Sequence, residues 1–201
     1  MHKEDQDKSI LVAYTTNSGS TAEVAEAIGE SLNAAGLPVE VRRLEEVSRP
    51  EAYAAAVIGA PLILGWHRAA VRFVKRHREA LSIMPVALFF TAMSLTEAEE
   101  TLPIATYVDP ELIKPPAQAD RLTFKERYAT RSNYLRPVFK AAPQIAPVSA
   151  AFFGGKMELY RLNPLQMLFV MLVIGSAPGD RRNWTAIREW AAGLPPLLLN
   201  V

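Results

Sequence analysis

Seven consecutive residues near the N-terminus have the composition of a phosphate-binding loop. The segment TTNSGST at 15–21 joins an apolar run at 10–14 to an amphipathic stretch that begins near residue 21. A helix N-terminus leaves its first four N–H groups without intrahelical partners and carries about half a positive charge, so it binds a phosphate without a lysine. Hydroxyl groups add neutral donors, and a glycine allows close backbone approach. The residues predicted to hold the anion are Thr15, Thr16, Asn17, Ser18, Gly19, Ser20 and Thr21.

The same residue types also form ordinary turns and helix caps, so a purely structural role is the alternative for this segment. Neither G-x-x-x-x-G-K-[ST] nor G-x-G-x-x-G occurs, which argues against ATP, GTP and NAD as ligands. A phosphoacceptor aspartate is absent where Tyr14 and Thr15 end the apolar run. The chain has no cysteine, and its three histidines lack metal-ligand spacing. We therefore predict no metal site, and redox chemistry would need an organic cofactor.

Alternating apolar runs and amphipathic stretches predict a parallel α/β sheet. Strands are predicted at 10–14, 39–44, 54–59, 86–91 and 148–153, with helices near 21–35, 68–81 and 184–192. The predicted organisation is a disordered lead-in at 1–8, one domain at 9–193 and a tail at 194–201. Because the polar N-terminus lacks the apolar core of a signal peptide, we expect a cytoplasmic location.

Two segments depart from this alternation. Residues 96–145 are rich in proline and charge, which predicts an insertion that is either a functional lid or partly disordered. Residues 163–175 predict a helix that is apolar almost all round, about 16 Å long and too short for a hydrocarbon core of about 30 Å. It would be a buried or subunit-interface helix, as in a homodimer, or it would dock on a membrane surface.

Charge is distributed unevenly along the chain. Residues 1–120 hold 11 Lys and Arg against 17 Asp and Glu, whereas residues 121–201 hold 11 against 4. The basic C-terminal part would attract an acidic substrate or an anionic membrane surface. Nucleic acid is not expected as a partner, because basic and aromatic residues are not interleaved.

The phosphate loop resembles that of the flavodoxin family, T/S-x-T/S-G-x-T, at every defined position of 16–21. The resemblance covers about 9–95 and 146–193. It implies a doubly wound five-stranded parallel sheet of order 2-1-3-4-5, with an insertion after strand 4, an extra apolar helix after strand 5, and FMN at the carboxyl ends of the strands.

Two further motifs resemble the flavodoxin-type, quinone-dependent protoporphyrinogen oxidases. They are GAPLILGWH at 59–67, followed by FVKRH at 73–77, and GDRRNW at 179–184. The resemblance implies that two loops flank the flavin ring, through Pro61, Leu62, Ile63, Leu64, Gly65, Trp66, Thr91, Ala92, Met93 and Ser94. Trp66 would either stack on that ring or pack in the interior. Gly65 would let a peptide carbonyl turn towards the flavin N5.

The candidates for binding substrate are less sharply marked. The cations predicted to meet anionic groups such as porphyrin propionates are Arg121, Lys125, Arg127 and Arg131, unless they form a solvated helix face. Gly154 and Gly155 would shape a substrate entrance or a simple turn. His67 is the titratable ring in a predicted flavin loop, so it is the candidate catalytic residue, unless it only lies exposed at a helix start.

The resemblance implies an FMN-dependent oxidoreductase of heme biosynthesis that acts on a porphyrinogen, with a quinone or a redox protein as electron acceptor. One alternative is a single-electron carrier between redox proteins. Such carriers typically have a strongly acidic rim, whereas this chain has a pI near 8.0. A second alternative is an FMN-binding module without turnover.

Overall fold

The computed structural model describes residues 8–62, 65–118, 121–157 and 179–199. Its central sheet has six parallel strands, which are β1 (Ile10–Tyr14), β2 (Val39–Arg43), β3 (Ala55–Pro61), β4 (Val86–Ala92), β6 (Thr106–Val108) and β8 (Ser149–Gly154). Their order across the sheet is β2-β1-β3-β4-β8-β6. Two short pairs lie outside it, namely β5 (Leu95–Thr96) with β7 (Ile113–Lys114), and β9 (Lys156–Met157) with β10 (Gly179–Asp180).

Helices lie on both faces of the sheet. They are α1 (Ser20–Ala34), α2 (Arg68–Arg76), α3 (Arg78–Ser82), α4 (Phe124–Tyr128), α5 (Arg131–Ala141), α6 (Trp184–Ala192) and α7 (Pro195–Leu198). Successive side chains of a strand point to opposite faces, so Leu11 and Ile10 belong to two different core clusters. Residues of α2 and α5 pack on one face, and residues of α1 and α6 pack on the other. Covering both faces explains why the long inner strands are continuous apolar runs.

The predicted order of the five long strands is confirmed, with Ser149–Gly154 as the fifth. The predicted count of five strands is wrong, because Thr106–Val108, from within the predicted insertion, adds a sixth strand parallel to β8. Backbone groups explain the addition, since the Ala150 N–H donates to the Ala105 carbonyl at 3.0 Å and the Asp109 N–H donates to the Phe152 carbonyl at 3.0 Å. The extra strand thus pairs an edge of β8 that would otherwise be open.

The described part of the 96–145 segment is built from short elements rather than irregular chain. Its second helix, α5, buries Leu135 and Val138 against the sheet. The Thr96 N–H donates to the Ala129 carbonyl at 2.8 Å, which joins β5 to the end of α4. Since β5 directly follows the loop after β4, the segment is attached to the carboxyl edge of the sheet.

The single predicted helix at 68–81 is divided at His77 into α2 and α3. The predicted apolar helix at 163–175 lies outside the described residues, as does nearly all of the predicted lead-in. Within the described ranges, no helix combines the length and apolar character needed to cross a membrane.

Candidate functional site

The predicted phosphate loop crosses from β1 to the start of α1 at the carboxyl edge of the sheet. Gly19 is the N-cap residue of α1 and has a left-handed backbone with φ of 95°, which favours glycine. The Thr16 hydroxyl accepts a hydrogen bond from the Gly19 N–H at 2.9 Å, which closes the turn. No side-chain hydrogen bond caps α1 at Gly19. A 15-residue helix therefore begins at this loop without the side-chain acceptor that usually occupies an N-terminus.

The seven loop residues divide into two groups by exposure. Asn17 is exposed, and Thr16, Ser18 and Gly19 are half-buried, whereas Thr15, Ser20 and Thr21 are buried. The hydroxyl groups of Thr21 and Thr91 lie 2.9 Å apart in the interior. The Thr15 hydroxyl faces Glu45 Oε1 at 3.5 Å. The hydroxyl groups of Thr15, Thr16 and Thr21 thus have protein partners, and the Thr21–Thr91 pair joins the start of α1 to the end of β4.

The loop after β3 is joined to the end of β4. The Leu62 N–H donates to the Thr91 carbonyl at 2.9 Å, and Leu62 forms an isolated β-bridge with Trp66. Ile63 and Leu64 lie outside the described residues. Gly65 has φ of 95°, a backbone conformation that would strain any residue with a Cβ.

Trp66 packs in the interior, which is one of the two alternatives that the sequence analysis gave for it. Its side chain is 4% exposed, and its ring lies 5.6 Å from that of Phe90, centroid to centroid. Stacking on a flavin would require the ring to leave this contact. The indole Nε1 is buried and has no hydrogen-bond acceptor in the described part of the chain. An unsatisfied buried donor costs about 1–3 kcal/mol, so this atom marks a place for an acceptor that those residues do not supply.

His67 connects the two predicted cofactor loops. Its Nδ1 accepts a hydrogen bond from the Ala69 N–H at 3.2 Å and thereby caps α2. An accepting Nδ1 leaves the proton on Nε2, which lies 3.1 Å from Asn17 Oδ1 and can donate to it. Burial lowers the pKa of His67, with Arg72 adding to the shift and Glu45 opposing it. The ring is thus suited to hold the phosphate loop against α2 as a neutral donor.

The residue after β8 meets the end of β4 through a backbone hydrogen bond. The Gly155 N–H donates to the Ala92 carbonyl at 2.8 Å, and the Arg181 N–H donates to the Gly155 carbonyl at 3.1 Å. A Cβ on Gly154 would lie 1.8 Å from the Arg181 carbonyl oxygen. The clash gives Gly154 a packing role, whereas a Cβ on Gly155 would lie at an ordinary 3.5 Å from the Ala92 carbonyl oxygen, and the substrate entrance stays a prediction. Beside them, Ala92 is buried and Met93 and Ser94 are half-buried.

The four cations predicted to bind substrate are not equivalent. Arg121, Lys125 and Arg127 are exposed on and before α4. Arg131 is instead held internally, because its guanidinium donates to Glu100 at 3.2 Å, to Thr106 at 3.3 Å and to the Ala98 carbonyl at 3.2 Å. These hydrogen bonds connect α5 to earlier residues of the 96–145 segment. They favour a structural role for Arg131, and its binding of an anionic substrate stays a prediction.

Asp109 and Tyr128 are two residues near the site that sequence reasoning missed. Asp109 is fully buried; its Oδ1 accepts from the Glu111 N–H and from Asn183 Nδ2, both at 3.1 Å, so it joins the inserted segment to the 179–184 motif. A local sequence pattern could have identified Asp109, because an aspartate directly before a proline is a typical N-cap. Tyr128 lies beside the loop after β3, where a Cβ on Gly65 would be 3.6 Å from its hydroxyl oxygen. No local signal identifies that contact.

The 179–184 motif is held against the start of α1. The Arg182 guanidinium donates to Glu23 Oε2 at 2.7 Å, pairs with Asp180, and lies 4.6 Å from the Trp184 ring. Hydrogen bonds from Arg182 keep the pKa of Asp180 below its usual range. Both carboxylates thus have a cation partner, which limits negative charge beside the phosphate loop.

These features fit FMN, whose phosphate is an anion and whose ring system needs a binding surface between loops. The uncapped start of α1 and the half-buried Thr16, Ser18 and Gly19 suit the phosphate. The loop after β3, which is hydrogen-bonded to the end of β4, contains the orphaned indole N–H described above. Residues for both ends of the cofactor therefore converge at one edge of the sheet.

Among known proteins, residues 11–182 match a family described as a flavodoxin domain. The chain is 30% identical over 96 residues to protoporphyrinogen IX dehydrogenase [quinone] of Escherichia coli, a match covering 46% of this chain and 53% of the relative. It thus spans about half the length of the curated relatives it matches.

Two solved structures are similar at low identity. One is the two-electron reduced flavodoxin of Megasphaera elsdenii, which is 14% identical with a TM-score of 0.48 over 92% of this chain and 98% of that one. The other is a mutant flavodoxin of Fusobacterium nucleatum bound to flavin mononucleotide, 11% identical with a TM-score of 0.41 over 71% and 67%.

The family match extends over most of the chain and agrees with the strand order of the sheet. The predicted flavodoxin-like fold and the predicted cofactor, FMN, are thereby confirmed. The chain belongs to the flavodoxin-domain family.

Proposed function

We propose that this protein is an FMN-dependent oxidoreductase that oxidises a porphyrinogen and reduces a quinone or a similar acceptor. Bound FMN supplies the redox chemistry, since a flavin accepts and returns reducing equivalents. Each loss of two electrons and two protons by the substrate is matched by reduction of one quinone to its quinol. The protein itself binds, orients and shields the reactants.

The observation that carries this proposal is the position of the 96–145 segment. Its strand β5 begins directly after the loop that follows β4, and its helix α4 brings Tyr128 beside Gly65. The segment therefore adds a wall to the predicted flavin site. A carrier that only exchanges electrons with protein partners needs no such wall, whereas an enzyme needs a surface to hold a small substrate.

The cations on and before α4 support an acidic substrate. Arg121, Lys125 and Arg127 are exposed there, and charge-assisted hydrogen bonds from arginine suit carboxylates. The partial likeness to a protoporphyrinogen IX dehydrogenase gives the substrate class, because a porphyrinogen bears carboxylate side chains. Exposed acids, namely Glu97, Glu99 and Glu111, also lie in the 96–145 segment, so this support comes from the cations of and before α4 and not from the net charge of the segment.

The side chains of the site have distinct tasks in this proposal. Thr16 and the start of α1 bind the phosphate, and the Thr21–Thr91 pair holds that helix against β4. Neutral His67 holds Asn17 and thereby keeps the phosphate loop beside the loop after β3. His67 acts here as a positioning residue.

The test is an anaerobic half-reaction with the purified, FMN-loaded protein. The released chromophore is first identified by mass spectrometry. Protoporphyrinogen IX is then added while the flavin absorbance is followed, and menadione is added afterwards. We expect the flavin to bleach with the porphyrinogen and to recover with the quinone.

Two other outcomes would contradict the proposal. Bleaching by a ferredoxin-type reductase, and none by the porphyrinogen, would indicate a single-electron carrier. Binding of FMN with no reduction by either donor would indicate a module without turnover.

A further inference from the structure

Phe124 is a large aromatic side chain placed at the surface next to the candidate site. Its side chain is 77% exposed, whereas the phenylalanines of β4 and β8 are fully buried. Phe124 opens α4, and its ring is stacked with that of Tyr128 at a centroid distance of 6.5 Å and an interplanar angle of 28°. Residues four apart share one face of a helix, so the two rings form a continuous aromatic surface.

This surface leads from solvent to the predicted flavin loop. Tyr128 is half-buried, and its hydroxyl oxygen would lie 3.6 Å from a Cβ on Gly65. Behind it, the Tyr128 ring meets the edge of Tyr134 at 6.3 Å, and Tyr134 in turn stacks on Phe152 of β8 at 6.5 Å. The aromatic surface is therefore supported by the core and does not depend on one mobile side chain.

Helix α4 is held at both ends. Glu126 accepts hydrogen bonds from the Thr123 N–H and the Ala117 N–H, both at 2.6 Å, and the Thr123 hydroxyl accepts from the Glu126 N–H. These hydrogen bonds lower the pKa of Glu126. The one carboxylate of α4 is thus engaged with backbone donors, while Arg121 and Arg127, each three residues from Phe124 in the chain, are exposed.

We propose that Phe124 and Tyr128 form the docking surface for the ring system of a tetrapyrrole, with Arg121 and Arg127 meeting its carboxylates. This inference rests on the proposed function and names the residues that would set its substrate specificity. An aromatic face bordered by cations suits a flat, apolar ring with acidic substituents. A membrane surface would also accept an exposed phenylalanine, but Tyr128 lies close to Gly65, so the surface leads inwards to the predicted redox site.

The test measures binding of protoporphyrin IX, the stable oxidised ring, to the FMN-loaded protein by fluorescence titration. The variants are Phe124→Ala, Phe124→Trp and the control Ile83→Ala. Ile83 is also a strongly exposed apolar residue, at 83%, but it precedes β4 at the opposite edge of the sheet. Turnover of protoporphyrinogen IX and the Kd for FMN are measured on the same proteins.

We expect Phe124→Ala to raise the Kd for protoporphyrin IX and the KM for the porphyrinogen at least fivefold, with kcat and the Kd for FMN within twofold. Phe124→Trp and Ile83→Ala should both stay within twofold for all of these constants. An Arg127→Gln variant should weaken binding of the ring and lessen its dependence on salt.

The failures are distinguishable. If the wild-type protein binds FMN but neither binds protoporphyrin IX nor oxidises the porphyrinogen, the proposed function fails, and this docking surface fails with it. If the wild type is active and Phe124→Ala behaves as Ile83→Ala does, the docking surface alone is wrong. Loss of binding to anionic lipid vesicles by Phe124→Ala, with porphyrin binding unchanged, would assign the residue to a membrane contact and also overturn the inference.

Discussion

The buried hydroxyl pair of Thr21 and Thr91 predicts a strong coupling between residues 70 positions apart in the chain. Thr21 is fully buried and Thr91 is 3% exposed. Valine has the shape of threonine without the hydroxyl, so Thr21→Val leaves the Thr91 hydroxyl buried without this partner. That loss costs about 1–3 kcal/mol of unfolding free energy. A loss near 2 kcal/mol would lower the Tm by roughly 4–8 °C for a domain of this size.

The double variant Thr21→Val, Thr91→Val distinguishes this mechanism from a general loss of packing. Because both polar groups are then replaced by apolar groups of the same shape, its stability should return towards that of the wild type. The expected interaction energy between the two sites is about 1–2 kcal/mol. Urea unfolding measures the free energy of the wild type, the two single variants and the double variant. The proteins are FMN-free, because bound cofactor would shift the apparent stability.

A control is available within the same helix. Ser31→Ala also removes a hydroxyl from α1, but the partner of that hydroxyl, the Ala27 carbonyl, keeps its helical hydrogen bond. We expect little change in unfolding free energy for this variant. The reasoning would be refuted if the double Thr variant lost as much stability as the two single variants together.

Four further results are expected. Thr16→Val with Thr21→Val should weaken FMN binding at least tenfold by titration, about 1.4 kcal/mol, and unchanged affinity would refute the placement of the phosphate. Burial lowers the pKa of His67, so the contribution of neutral His67 to the unfolding free energy is complete above about pH 6.5 and is lost as the pH falls towards the folded-state pKa. His67→Asn should therefore flatten the fall in unfolding free energy between about pH 7.5 and 5.5. An unaltered slope would count against this reasoning. Asp109→Ala should lower the unfolding free energy by about 3 kcal/mol or more, because the Glu111 N–H and Asn183 Nδ2 lose their buried acceptor. A urea midpoint near that of the wild type would contradict this expectation. Arg131→Met should lower the Tm while the KM for substrate changes less than twofold, whereas a large rise in KM would restore its role as a substrate ligand.

Most of the sheet was predictable because its signals are local. The first strand, the helix after it and the last amphipathic helix occupy the predicted positions within a residue or so. Continuous apolar runs mark strands that are covered on both faces, and a helical period marks the helices that cover them. The edge strand at 106–108 was missed because three residues carry too little periodicity, and its formation depends on pairing with β8.

The candidate site was predictable to a different degree for each loop. The phosphate loop is one contiguous segment whose glycine and hydroxyl spacing carries its chemistry, and it ends at the start of α1 as predicted. The position of Trp66 was left open, because whether an aromatic side chain faces a ligand or the core depends on its neighbours, here Phe90. Arg131 was assigned to substrate because its charge is visible in the sequence, whereas its partners Glu100, Thr106 and Ala98 are distant in the chain.

The sequence by itself determined the fold class, from its alternating apolar runs and amphipathic stretches, and the cofactor, from the resemblance of 16–21 to the flavodoxin loop; the binding of the phosphate by that loop stays a prediction. Only the tertiary structure decided how the loops are joined. The contact of His67 with Asn17 crosses 50 residues, and the hydroxyl pair of Thr21 and Thr91 crosses 70. The position of Tyr128 close to Gly65 likewise depends on how the inserted segment packs. Such contacts depend on which distant segments the folded sheet brings to the same edge, and no local sequence pattern predicts which segments those are.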